Sequence, residues 1–85
     1  MNYYYITFRS VTFAQRAERL LGGNGVRCTL QRTPRWMEEQ GCGYALRIWT
    51  KDITAVQELL KRGKIPMRRT YRQKGDGLME EVEQT

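Results

Sequence analysis

One side chain in this sequence is set out for chemistry. Cys42 stands between Gly41 and Gly43, directly before the alternating run Tyr44-Ala45-Leu46-Arg47. Glycine on both sides leaves a sulfur uncrowded and the backbone free to bend, at a cost of about 0.5–1 kcal/mol each against alanine in a regular element. A thiol so presented reads as a nucleophile or carrier, because the thiolate is the reactive form. The competing reading is a tight loop leading into a strand, with Cys42 a small buried apolar residue. The chain has two cysteines and no histidine. A histidine base or triad is therefore excluded. Two such ligands fall short of the four that a structural zinc site takes, so no metal or cofactor is expected.

The elements that must position Cys42 follow from periodicity. Tyr3 to Phe8 is aromatic and β-branched and reads as a strand, with Tyr4, Ile6 and Phe8 on one face and Tyr3, Tyr5 and Thr7 on the other. A helix follows, its apolar stripe made by Phe13, Ala14, Ala17, Leu20 and Leu21. Thr12 with Gln15 fits a capping box, and Ser10 is the competing N-cap. Gly22-Gly23-Asn24-Gly25 stops that helix. Val26 to Arg32 alternates as a second strand, with Cys28 on its apolar face as core filling. Thr33-Pro34 ends it. Arg35 to Gly41 is a long connection, with Trp36-Met37 either tucked under the body or forming a contact patch. Tyr44 to Trp49 is the third strand. Asp52 caps a second helix with the stripe Ile53, Val56, Leu59 and Leu60. Met67 to Tyr71 or Arg72, rich in arginine, reads as a fourth strand at the sheet edge.

This is the β-α-β-β-α-β order of the ferredoxin-like α+β fold, with a four-stranded antiparallel sheet and two helices on one face. Right-handed crossovers predict the strand order four-one-three-two. The first strand then ends beside the start of the third, which brings Cys42 near Phe8-Arg9-Ser10 and the first helix. Free N–H groups and partial positive charge at a helix start stabilise a thiolate, as does a nearby arginine. Arg9, Ser10, Thr12, Arg35 and Gly43 are accordingly the candidate binding residues around Cys42, with Arg47 either joining them or lying on the solvated sheet face. Glu38 and Glu39 would oppose a thiolate if they faced it. Cys28 falls about five residues down the ladder, on the order of 15 Å away, too far for a disulfide; both thiols are expected to be free.

The 85 residues suffice for one domain, taken as residues 1–74, followed by a flexible acidic tail over 75–85 that is frayed or holds a short helix near Leu78–Val82. Net charge is +6. Residues 76–85 hold four acids and no base, so the rest of the chain holds all 15 bases against five acids. A basic body invites an anionic partner. No apolar run reaches the ~20 residues of a membrane helix, and no signal peptide is visible at Met1–Tyr5. A cytoplasmic location without membrane association is expected.

Phe8-Arg9-Ser10, Thr33-Pro34-Arg35 and Cys42-Gly43-Tyr44-Ala45-Leu46-Arg47 together resemble the selenium/sulfur carrier protein-like family of short bacterial domains, over about Tyr4 to Tyr71. The resemblance implies that Cys42 carries selenium or sulfur, as a persulfide or selenosulfide, between donor and acceptor proteins. A carrier needs one accessible thiolate and no general base, so a carrier or binding domain is expected rather than an enzyme. Two alternatives stay open. One is a nucleic-acid-binding module using Tyr3, Tyr5, Trp49 and Tyr71 as a stacking surface, although the aromatic block of an RNA-recognition motif is absent. The other is a regulatory or interaction module without chemistry, a homodimer paired through its sheet.

Overall fold

The computed structural model describes residues 1–33 and 43–83. Its element order is β1 (Asn2–Phe8), α1 (Val11–Gly23), β2 (Arg27–Arg32), β3 (Tyr44–Thr50), α2 (Ile53–Arg62), β4 (Thr70–Gln73) and β5 (Met79–Val82). The strands form one antiparallel sheet in the order β2-β3-β1-β4-β5. The first four have the neighbours that the sequence predicts. The fifth strand corrects the expected count of four, and it changes the fate of two segments.

Alternation decides which face of the sheet is buried. Tyr4, Ile6 and Phe8 lie opposite Ile48, Leu46 and Tyr44 of β3. They join one core with Ala14, Ala17 and Leu21 of α1 and Ile53, Val56 and Leu60 of α2. Both helices therefore cover the same face. Each helix is closed by the residue types its ends require. At α1, the Ser10 hydroxyl accepts the Phe13 N–H at 3.2 Å, so Ser10 is the cap and the Thr12 capping box does not form. At α2, the Asp52 carboxylate accepts the Ala55 N–H at 3.2 Å, and Lys61 and Arg62 complement the dipole in the last turn. The fully buried Gln57 of α2 donates to the Thr70 hydroxyl at 3.2 Å, tying that helix to β4.

The segment expected to fray or form a short helix near Leu78–Val82 is instead strand β5, paired with β4 from Thr70↔Val82 to Gln73↔Met79. A turn over residues 74–78 makes the hairpin. Gly77 takes φ +87°, a region costly for residues with a Cβ. The Asp76 carboxylate accepts the Leu78 N–H at 3.0 Å, and the Lys74 N–H donates to the Leu78 carbonyl at 2.8 Å. The acids of this segment then meet the arginines of the preceding one: Arg69 with Glu81 and Arg72 with Glu80, each at 2.9 Å. As a result β4 is an interior strand and not the predicted edge; the edges are β2 and β5. Strand β4 also begins later than predicted, at Thr70. Residues 68 and 69 are still held by the buried Thr7, whose carbonyl accepts the Arg68 N–H at 2.9 Å and whose hydroxyl accepts the Arg69 N–H at 3.0 Å. No described helix is long and apolar enough to cross a membrane.

Candidate functional site

The end of β1, the start of α1 and the start of β3 meet at one corner. Phe8 and Tyr44 are the last rung between β1 and β3. One residue before Tyr44, the Gly43 carbonyl accepts the Thr33 N–H at 3.1 Å, extending the β2–β3 pairing past Arg32. Gly43 is buried and wedged. A Cβ on it would stand 3.2 Å from the Thr33 hydroxyl oxygen and 3.5 Å from the Phe8 carbonyl oxygen, so a side chain here would make Thr33 give by a few tenths of an ångström. The Thr33 hydroxyl is buried and has no hydrogen-bond partner among the described residues.

The structure brings together three of the predicted site residues, Gly43, Arg9 and Ser10, at this corner. Arg9 follows Phe8 directly and is exposed. Ser10 consumes one first-turn N–H of α1, that of Phe13. The N–H groups of Val11 and Thr12 lie too early in the helix to have an intrahelical acceptor. The Thr12 side chain is exposed. Cys42, Arg35 and the whole Arg35–Gly41 connection with Trp36-Met37 and Glu38-Glu39 lie outside the described residues.

Arg47 is not with this group. It pairs with Tyr5 in the middle of β3, roughly 13 Å along the strand from Gly43 at ~3.3 Å per residue. It belongs to the sheet face away from the helices, where its guanidinium carbon stands 3.9 Å over the Tyr3 ring. Tyr3 in turn meets Trp49 with ring centroids 4.5 Å apart.

Two arginines that sequence reasoning left out come to the corner instead. A cleft of about 600 Å³ is lined by Arg9 and Phe13 from the start of α1 and by Met67, Arg68, Arg69 and Glu81. Arg68 and Arg69 reach it because Thr7 fixes their backbone beside the end of β1. Read in sequence, they were only the basic residues of a strand. Among the described residues that line the cleft, three guanidiniums stand with one carboxylate, which Arg69 holds; guanidiniums are the side chains that recognise carboxylates and phosphates.

Cys28 is a different kind of cysteine. It is free, half-buried and packed against the core, with its sulfur 3.9 Å from the Glu18 carbonyl oxygen. Burial first, and the charge of Glu18 second, push its thiol pKa up. Both effects keep it protonated and unreactive, as the core reading of that position requires. Among the described residues no three of His, Cys, Asp and Glu come together as a metal site would need.

A family described as "Putative Se/S carrier protein-like" matches residues 3–72, most of the chain. Among curated proteins and among solved structures nothing matches.

Proposed function

The chain belongs to this selenium/sulfur carrier protein-like family, and from that premise we propose that it holds one sulfur or selenium atom on Cys42 and passes it from a donor protein to an acceptor. The thiolate of Cys42 attacks the outer sulfur of a donor persulfide. A new S–S bond forms, the donor S–S bond breaks, and the donor leaves as a thiolate. The sulfane sulfur changes owner and no outside oxidant or reductant is consumed. A selenium atom in the outer position moves in the same way. The reaction needs no general base, in keeping with a chain without histidine. It is a carrier's step, without turnover of a substrate.

One observation carries the reading: Gly43, bonded to Cys42, is wedged at the corner where β1 ends and α1 begins. A trans peptide keeps neighbouring Cα atoms ~3.8 Å apart. In this proposal the first-turn N–H groups of α1, Thr12 among them, with Arg9 and Arg35, hold the sulfur negative, and Ser10 caps the helix start that supplies them. The arginine-lined cleft beside Arg9 supports docking of an anionic donor or of the anionic persulfide itself. Arg47 is left out of this role, since it lies roughly 13 Å along β3 from Gly43.

Alkylation of Cys42 followed against pH in a Cys28→Ala background tests the proposal. The rate should rise with a midpoint clearly below the ordinary thiol value of about 8.5. A midpoint at or above that value would remove the activated thiolate.

A further inference from the structure

The sheet face turned away from the helices carries a second concentration of chemistry, which a sulfur carrier does not use. Alternation puts Tyr3 and Tyr5 of β1, Arg27 and Thr29 of β2, and Arg47 and Trp49 of β3 on that face. Tyr3 and Trp49 are opposite each other on one rung, their rings tilted by 51°. Arg27 completes the same row beside Trp49. The guanidinium of Arg47 lies over Tyr3, and its Nε is buried without a hydrogen-bond partner among the described residues. Tyr3, Trp49, Arg27, Cys28, Thr29 and Arg47 together line a pocket of about 250 Å³. Both helices pack on the opposite face, so no described helix covers this one.

Charge narrows the choice of occupant. Strands β1, β2 and β3 contain no aspartate or glutamate. On the same face the acid in the Arg47 row is Glu81, three strands away, or about 14 Å at ~4.8 Å per strand; it is held by Arg69 at 2.9 Å. The pocket thus offers an aromatic pair, with Tyr3 already under Arg47, and two guanidiniums with no carboxylate on their own strands. A second copy docked face to face would bring a second set of arginines to strands that carry no carboxylate of their own. A chain of bases and phosphates matches both halves of the surface: bases stack on aromatic rings, and phosphates pair with guanidiniums.

We propose that this face binds single-stranded nucleic acid, with a base against Tyr3 and Trp49 and the flanking phosphates on Arg27 and Arg47. Arg47 lies roughly 13 Å along β3 from Gly43, and the proposal does not depend on the carrier reading.

Fluorescence anisotropy of the full chain with a labelled oligouridylate of about ten residues, within the site size of one small module, tests it. Binding should weaken with salt by about 0.7 log units per tenfold salt for each phosphate contacted, and Arg27→Gln should lower that slope by about 0.7. Trp49→Ala should weaken binding about tenfold or more. Cys42→Ser should bind like the wild type. Because Trp49 is half-buried and its loss could disturb the sheet, the exposed Arg27→Gln variant is the deciding one. The proposal is overturned by salt-insensitive binding, by no binding at low salt, by Arg27→Gln binding with the wild-type slope, or by sedimentation showing a dimer that Trp49→Ala dissolves.

Discussion

At the scale of single residues the two cysteines are assigned opposite characters. Cys28 was legible as core filling because it alternates with Val26 and Leu30 on one strand face, and it packs there. Its raised pKa has a consequence for stability. The group is neutral when protonated, and folding disfavours its charged form, so its contribution is complete below the ordinary value of 9.0 and is lost as the pH climbs through the raised folded value. Stability should therefore fall on the alkaline side of pH 9, and urea denaturation of Cys28→Ala should show a shallower decline there. Ser10 was the weaker of two cap candidates on sequence, because Thr12 has a glutamine in the capping-box position. The structure chooses Ser10, whose backbone is extended at φ −137° and ψ 155°, as a cap must be. Ser10→Ala should cost about 1 kcal/mol by chemical denaturation, whereas Thr12→Ala at an exposed helical position should change little.

At the scale of elements, three strands and two helices were readable because each carries a clean period of two or of 3.6 residues, and the fourth strand alternates only weakly. Strand β5 was not. Met79-Glu80-Glu81-Val82 is short and half acidic, and such a stretch reads as a tail. The overlooked signal was Asp76-Gly77, a hairpin turn pair, followed by acids in register with Arg69 and Arg72. The ion pairs are exposed and individually weak, but reversing both would set like charges against each other across the hairpin. Glu80→Lys together with Glu81→Lys should lower stability by about 1 kcal/mol. Amide exchange should quicken at Met79–Val82 first, with β1 and β3 protected as before.

At the scale of the whole molecule, the sequence reads as a basic body followed by an acidic end, and the fold turns that block pattern into a paired sheet edge. The corner beside Gly43 could be anticipated from strand order alone, because antiparallel neighbours put the end of β1 against the start of β3. Arg68 and Arg69 could not be placed there in advance. Their position depends on the register that Thr7 imposes, and that register involves a side-chain hydroxyl 62 residues away in sequence. Arg47 was the reverse case. Its place in the Cys-Gly-Tyr-Ala-Leu-Arg block suggested the site, but the strand carries it roughly 13 Å along from Gly43, to lie over Tyr3. The cleft of arginines and the aromatic pocket share no lining residue, which lets each be tested by its own substitutions.

The carrier account stands most directly on where a transferred sulfur atom comes to rest. The full chain is incubated with a cysteine desulfurase and free cysteine, and intact and peptide masses are read under non-reducing conditions. The account predicts a gain of one sulfur atom on the peptide containing Cys42, abolished by Cys42→Ser, retained in Cys28→Ala and released by a reducing thiol. A chain that gains no sulfur, or that gains it on Cys28, would contradict it.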